Sequence, residues 1–305
     1  MSAFDLIVIG GGPGGSTLAS FVAMAGHSVL LLEKERFPRH QIGESLLPAT
    51  VHQIAQLLGV KKKIADSGFV VKRGATFSWG TMPETLWTMN FGRLPADQVL
   101  LPPDAPFAYN VPRHEFDTLL LDNSADKGVD VRQGCTVSEL ISEDGRVVGV
   151  RYTDAAGQAQ EARATYVAIT TGQMGMGGRM LGPREYSVFF KKIGVFGYYD
   201  HAGRLEFPLD GNTFFETHGD AWLWYIPLSN TLTSVGAVIP GTEGPKVKAD
   251  PRAALDHYVS GCPIVAGMLK DATPSTTAPF GPVRLRSEYS YCRTSFWAPG
   301  VLAVG

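Results

Sequence analysis

The chain has 305 residues, with 27 Lys+Arg against 29 Asp+Glu for a formal charge of −2. That balance excludes an electrostatic grip on nucleic acid or on an anionic membrane, which needs a strongly basic face. A hydrophobic content of 44% with 10% aromatics excludes a disordered chain and supplies a sizeable core. The length suits one large or two intergrown domains. No apolar run approaches the roughly 20 residues of a bilayer span, and Met-Ser-Ala-Phe-Asp lacks the basic start of a signal peptide. Cys135, Cys262 and Cys292 lack metal-ligand spacing and read as reduced thiols, so a cytoplasmic protein is expected. The seven histidines show no ligand spacing either, so no metal is expected.

In chain order, Phe4–Ile9 reads as a buried strand, Gly10–Gly15 as a turn, Ser16–Met24 as a helix and Ser28–Leu32 as a second buried strand ending at Glu33. Strand, glycine turn, helix and strand within about thirty residues make a βαβ unit. Arg36–Leu47 reads as an ordered loop, Pro48–Leu58 as a helix opened by its proline, and Val70–Trp79 as one strand. Thr81–Tyr109 has little periodicity and is long enough for a lid or binding loop. Arg113–Lys127 reads as a helix, followed by strands at Val129–Arg132, Val137–Leu140, Val147–Tyr152 and Gln158–Ile169. Residues 188–239 suggest an antiparallel sheet, Asp250–Tyr258 and Ile264–Leu269 short helices, and Val283–Tyr291 and Val301–Val304 strands. A buried strand running into Gly305 suggests a piece of a longer protein.

Gly10-Gly-Gly-Pro-Gly-Gly15 satisfies G-x-G-x-x-G at Gly10, Gly12 and Gly15. The first glycine makes the turn, the second admits a pyrophosphate and the third lets helix and strand pack closely. The phosphates then sit at the N-terminus of the helix near Ser16. Glu33 lies where an acid binds ribose hydroxyls and speaks against a 2′-phosphate. On these residues alone FAD and NAD both remain open.

Gly10–Glu33 followed by Phe37-Pro-Arg-His-Gln-Ile-Gly-Glu-Ser-Leu-Leu-Pro48, together with Trp222-Leu-Trp-Tyr-Ile-Pro227, resembles the flavin-dependent halogenases, within the aromatic-hydroxylase-like flavoproteins. The second segment matches W-x-W-x-I-P in full. The resemblance implies that the dinucleotide is FAD and that Arg39, Ile42, Gly43, Glu44 and Ser45 lie along it, with Arg113 as a flavin-contacting arginine. Trp222 and Trp224, two apart on a strand, point to one face. The resemblance makes them an apolar wall that keeps the substrate off the flavin. Lys72, in Val-Val-Lys72-Arg-Gly, matches the halogenase lysine; facing inward it would lose hydration and basicity, whereas a wet Lys72 would leave Arg73 as the inward residue.

Two departures stand out. Ala168-Ile169-Thr170-Thr171-Gly172 aligns with a pattern resembling Val-Asp-Ala-Ser-Gly, with Ile169 in place of the acid. The family's later Gly-Asp flavin motif would begin at Gly305. The implied fold is α/β: a glutathione-reductase-type FAD-binding domain (1–70, 110–180 and 285–305) intergrown with a β-sheet substrate region (71–109 and 181–284). The implied activity is halogenation of a phenol or pyrrole in secondary metabolism, with the aromatic substrate free or tethered to a carrier protein. Reduced FAD comes from a separate flavin reductase, and chloride is the expected halide. The alternatives are a flavin monooxygenase or prenyl-lipid reductase on the same scaffold, or a non-catalytic flavin-binding protein.

Overall fold

The computed structural model describes residues 4–79, 86–93, 107–174, 181–287 and 290–304. The chain forms two compact units, one of Met1–Arg39, His114–Ser187 and Tyr289–Gly305, the other of His40–Arg113 and Val188–Glu288. Residues 40–70, expected with the nucleotide-binding segments, thus belong by their contacts to the second unit.

The first unit is built on five parallel strands in the spatial order Val301–Ala303, Ala159–Ile169, Phe4–Ile9, Val29–Glu33 and Asp130–Gln133. Both faces are covered, which is why the central strands Phe4–Ile9 and Val29–Glu33 are apolar without alternation. Ile7, Ile9, Leu30, Leu32, Val167 and Ile169 face one cluster. Leu6, Val8, Val29, Leu31 and Ala168 face the other, with Ala19 and Leu121 from the helices Pro13–Met24 and Arg113–Asp126. The Ala159–Ile169 strand serves two ladders: its first half pairs antiparallel with Arg146–Thr153, and its second half parallel with Phe4–Ile9. The first helix begins at Pro13 rather than Ser16, because proline at the first helical position brings a suitable φ and lacks only an N–H that would have no helical partner.

The second unit centres on a sheet ordered Thr273–Pro274, Lys192–Asp200, Leu232–Pro240, Ala221–Pro227, Thr213–His218, Gly74–Ser78 and Trp87–Asn90. The stretch expected to be antiparallel is so from Lys192 to His218 across the sheet, but Thr213–His218 pairs with Gly74–Ser78 in parallel. One face packs Val195, Phe214, Leu223, Tyr225, Val235 and Ala237 with Leu255 and Val265 of the helices Pro251–Ser260 and Pro263–Leu269. The opposite face carries Phe196, Tyr198, Trp224, Ile226 and Phe280.

Three expectations are corrected here. The single strand over 70–79 is two strands in different sheets, Val70–Lys72 and Gly74–Ser78. The break falls at Arg73, whose N–H leaves the ladder to donate to Asn212 Oδ1 at 3.0 Å. Gly74 then passes so close to Met89 that a Cβ would lie 2.2 Å from its carbonyl oxygen. The Thr81–Tyr109 segment contains strands at Trp87–Asn90 and Ala108–Asn110; its residues 81–85 and 94–106 lie outside the described residues. Likewise Val283–Tyr291 is not one strand: Arg284–Arg286 and Tyr291–Arg293 are separate strands.

The glycine turn sets a strict steric limit. A Cβ on Gly15 would stand 1.9 Å from Gly10 O and 2.6 Å from Thr170 Oγ1, whereas one on Gly14 meets nothing within 4 Å. Gly15→Ala is therefore expected to destabilise the fold by about 2 kcal/mol or more through overpacking. Gly14→Ala, in the same helix, should gain about 0.5–1 kcal/mol. Urea denaturation of the two variants beside the parent checks the pair; equal midpoints would show that the close approach is not rigid.

Candidate functional site

In the first unit the glycine turn is braced from three sides. Gly10 adopts φ = +110°, a conformation glycine takes without steric cost. Thr170 Oγ1 lies 2.8 Å from Ile9 O and 2.9 Å from Gly10 O, with its single proton shared between them. Ser16, fully buried, donates its hydroxyl to Gly11 O and Gly12 O, so its side chain anchors the turn itself. Gly11 N–H donates to Glu33 Oε2 at 2.6 Å, and Glu35 N–H to Glu33 Oε1 at 2.8 Å. The Glu33 carboxylate thereby ties the end of its strand to the turn.

Arg39 completes this corner. Its Nη1 donates to Asp117 Oδ2 at 2.6 Å, its Nε lies 3.4 Å from Glu35 Oε2, and its guanidinium covers the Phe37 ring at 4.5 Å. Asp117 is fully buried, and a buried carboxylate needs such a charged partner. The remaining Nη2 is the sole atom within 4 Å of where a Gly12 Cβ would stand, at 3.5 Å. The first helix has no side-chain cap and no acid in its first turn. Open space at Gly12, an uncapped helix end and an arginine at the rim fit the pyrophosphate of a dinucleotide.

The second unit holds the other expected residues. Arg113 Nη1 donates to the carbonyl of Ile42 and lies 3.4 Å from that of Gly43. It grips the loop by backbone oxygens and stands where a Gly43 side chain would begin, 2.9 Å from an ideal Cβ. Gly43 itself has φ = +94°. The chain then runs beside Ala108–Asn110: Val111 N–H donates to Glu44 O, Leu46 N–H to Tyr109 O, and Ser45 forms an isolated bridge to Asn110. Val70–Lys72 pairs on the other side of Ala108–Asn110.

That arrangement turns Lys72 inward. Lys72 is 4% exposed, while Arg73 is exposed and lies over the Phe207 ring. Lys72 Nζ donates to Ser45 Oγ at 2.7 Å and sits 5.2 Å from the centre of the Phe91 ring. Burial lowers its pKa from 10.5 to about 8, because desolvation penalises the ammonium.

Glu44 is the inverse case. Burial raises its pKa from 4.5 to about 7, against hydrogen bonds from Tyr198 and Ser234 and the charge of Arg113. Tyr198 OH donates to Glu44 Oε1 at 2.7 Å, and with that proton committed His40 Nε2–H donates to Tyr198 OH at 2.8 Å. Ser234 accepts from the Trp224 indole N–H at 3.2 Å. Glu44 thus reaches the Trp224 ring through one hydroxyl.

Trp222 and Trp224 do share a face, with ring centres 6.3 Å apart. Their neighbours extend the apolar surface across the sheet: Trp222 meets Phe215, which stacks on Phe77, which stacks on Trp87. Gly236 lies opposite Trp224 on the next strand. A Cβ there would be 2.3 Å from Trp224 Cζ2, so this glycine makes the space in which the indole lies.

The family resemblance singled out Lys72, Glu44, Ser45 and the two tryptophans; it did not single out Thr170, Asp117, Tyr198, Ser234, Gly236, Thr213 or Asn110. The one available signal was at Thr170, beside the Ile169 that replaces an expected acid. Ile169 is a buried sheet residue, and the neighbouring threonine hydroxyl makes the polar contacts to the turn.

A family model described as tryptophan halogenase matches residues 5–103 and 95–305. The tryptophan 2-halogenase of Chondromyces crocatus is 30% identical over 306 residues, covering 100% of this chain and 56% of its own length. The 1H-pyrrole-2-carbonyl-(peptidyl-carrier protein) chlorinase of Pseudomonas fluorescens is 32% identical over 254 residues, 77% of this chain and 55% of that protein. Among solved structures, the myxobacterial chondrochloren halogenase CndH, described as a variant of FAD-dependent halogenases, superposes with a TM-score of 0.94 at 49% identity. That match covers 100% of this chain and 68% of that one. The chain spans little more than half the length of these curated relatives. Its fold is the α/β FAD-binding fold of these halogenases. Among the described residues, no helix is long and apolar enough to cross a membrane.

The Glu44 carboxyl gives a pH test of its burial. With its pKa raised from 4.5 to about 7, the folded state keeps a proton that the unfolded chain has lost between those values. Stability from this group is therefore full below about pH 4.5 and falls as pH rises to about 7. Glu44→Gln should remove that component, so the two stability curves converge or cross as pH rises through this window. Urea midpoints at several pH values are the measurement; parallel curves would show that Glu44 titrates as an ordinary surface acid.

Proposed function

The chain belongs to the tryptophan halogenase family, and from that premise we propose that it carries the flavin-binding and halogen-transferring parts of an FAD-dependent halogenase acting on an electron-rich aromatic ring. The observation that carries this reading is Lys72: an amine 4% exposed, its pKa lowered to about 8, set against a hydroxyl and an aromatic ring. A surface lysine at neutral pH is almost wholly ammonium and has no lone pair to offer. Lys72 is neutral in a usable fraction.

Gly10, Gly12, Gly15, Glu33 and Arg39 are the residues proposed to hold the dinucleotide, with Ser16 and Thr170 keeping the turn in shape. In the second unit, Ile42, Gly43, Glu44 and Ser45 with Arg113 form the segment proposed to contact the flavin. Bound in reduced form, FAD would supply with dioxygen the two-electron oxidation of halide to hypohalous acid. The neutral Lys72 amine then takes the halogen from hypohalous acid: the N–halogen bond forms, the O–halogen bond breaks, and the amine proton leaves with the oxygen as water. The ring attacks the halogen, loses a proton and returns the amine. The Trp222/Trp224 surface excludes water and denies the substrate the direct approach that oxygenation needs.

The substrate class we infer is a phenol or pyrrole with chloride as halide, free or tethered to a carrier protein as the name of the Pseudomonas relative describes for that enzyme. A separate flavin reductase would supply reduced FAD.

Lys72→Ala is expected to retain flavin and consume oxygen while losing halogenated product, and Lys72→Arg to fail as well, since a guanidinium keeps the charge but is a poor nucleophile. Mass spectrometry of turnover with candidate phenols and pyrroles, beside trapping of free hypohalous acid, is the test. Product from Lys72→Ala at the parent rate would overturn the assignment. Gly12→Val is expected to fold, because only a guanidinium nitrogen lies near its Cβ position, yet to lose flavin absorbance on purification. Retained flavin would place the cofactor elsewhere.

A further inference from the structure

Lys72 is the first link of a one-way hydrogen-bond chain. Lys72 Nζ lies 2.7 Å from Ser45 Oγ, Ser45 Oγ lies 2.8 Å from Thr213 Oγ1, and Thr213 Oγ1 lies 3.2 Å from Asn110 Oδ1. Asn110 Nδ2 in turn lies 3.0 Å from Gly211 O. Thr213 and Asn110 are buried. The far end sets the direction. A carbonyl only accepts, so the amide nitrogen of Asn110 must face Gly211, which leaves its oxygen toward Thr213. Thr213 therefore donates to Asn110 and can only accept from Ser45. The single Ser45 proton is spent on Thr213, and toward Lys72 the hydroxyl presents a lone pair.

We propose that Thr213 and Asn110 are positioning residues for the amine of Lys72: by fixing the polarity of the Ser45 hydroxyl they make the amine a donor to Ser45 and turn its lone pair away, toward the incoming halogen. This rests on the reading of Lys72 as the halogen-accepting group. Reversing the chain would leave Asn110 Oδ1 buried without that donor, a cost of the same order as a lost hydrogen bond. Without Thr213 as acceptor, the Ser45 hydroxyl rotates to donate to the neutral amine and occupies the electron pair needed for the N–halogen bond. Among the described residues, the titratable groups on the segments around Lys72 are Glu44, Arg73, Tyr109 and Asp210. Glu44 accepts from Tyr198 and Arg73 lies over Phe207; burial alone raises Tyr109, and Asp210 is exposed.

The test is Thr213→Val, which keeps the shape and removes the hydroxyl, beside Thr213→Ser, which keeps the hydroxyl. In lysine-15N-labelled protein the Lys72 Nζ signal, identified by its loss in Lys72→Arg, is titrated without turnover. Thr213→Val should move its inflection about 0.7 pH unit lower, the equivalent of one neutral hydrogen bond. In turnover the pH–rate profile should move the same way while its plateau falls about tenfold. Thr213→Ser should restore both. That combination, more neutral amine with less transfer, is not what a general loss of folding produces. Ser45→Ala supplies a second variant; it deletes the acceptor of the ammonium form and should also lower the inflection. An unmoved inflection in folded Thr213→Val, or a Thr213→Ser as impaired as Thr213→Val, overturns the proposal. Should the parent give no halogenated product while the inflection still responds, the functional reading falls and the positioning chain stands. Should Lys72→Ala lose product while Thr213→Val keeps the parent's profile, the chain falls and the functional reading stands.

Discussion

An ammonium removed from water must either lose its proton or find acceptors, and the site in the second unit is organised around that constraint at Lys72. The residue is buried and its basicity falls for want of solvation. Among the described residues, its contacts are neutral: a serine hydroxyl, the face of Phe91, and behind the hydroxyl a threonine and an asparagine. A carboxylate at Ser45 would have held the amine as a permanent cation. Hydroxyls and an amide instead satisfy its hydrogen bonds while leaving the charge unpaid. Glu44, next in the chain to Ser45, has the opposite treatment. Its own charge is discouraged by burial and partly restored by Tyr198, Ser234 and Arg113. Two neighbouring groups of opposite sign thus both titrate far closer to neutrality than they would in water.

The first unit answers a different constraint. The pyrophosphate proposed for the glycine turn would have to approach backbone, so side chains have to be absent there and the backbone has to stay put without them. Gly10, Gly12 and Gly15 remove the side chains, each for its own reason: a left-handed φ, open space and a contact too close for a Cβ. Rigidity comes from elsewhere. Thr170, Ser16 and Glu33 each bond the turn's own peptide groups, and Arg39 is pinned by Asp117 beside it. A glycine-rich loop with these braces is pre-formed, so binding need not order it.

The large sheet shows how one pattern carries two purposes. Alternate residues of Ala221–Pro227 divide between faces, with Leu223 and Tyr225 packed under helices and Trp222 and Trp224 on the other side. The helix-covered face supplies stability. The aromatic face runs on through Phe215, Phe77 and Trp87, and Trp224 fits there only because Gly236 opposite has no side chain.

By itself the sequence determined the elements whose signals are local. Phe4–Ile9, the glycine turn, the following helix and Val29–Glu33 are legible because apolar runs, glycine and proline act within a few residues, and the spacing of Trp222 and Trp224 fixes a common face through the two-residue period of a strand. It also marked Lys72 as a candidate while leaving open whether Lys72 or Arg73 turned inward. Only the tertiary structure decided that, since the choice depends on a strand break at Arg73 set by Asn212, more than a hundred residues away. The same holds for Thr213 and Asn110 behind Ser45, for Tyr198 and Ser234 around Glu44, and for Asp117 beside Arg39. Each is an ordinary polar residue in an ordinary strand or helix, and its meaning lies in a partner distant in sequence. Hydrogen bonds and desolvation act at about 3 Å in space, and no local pattern in the chain records which groups folding will bring to that distance.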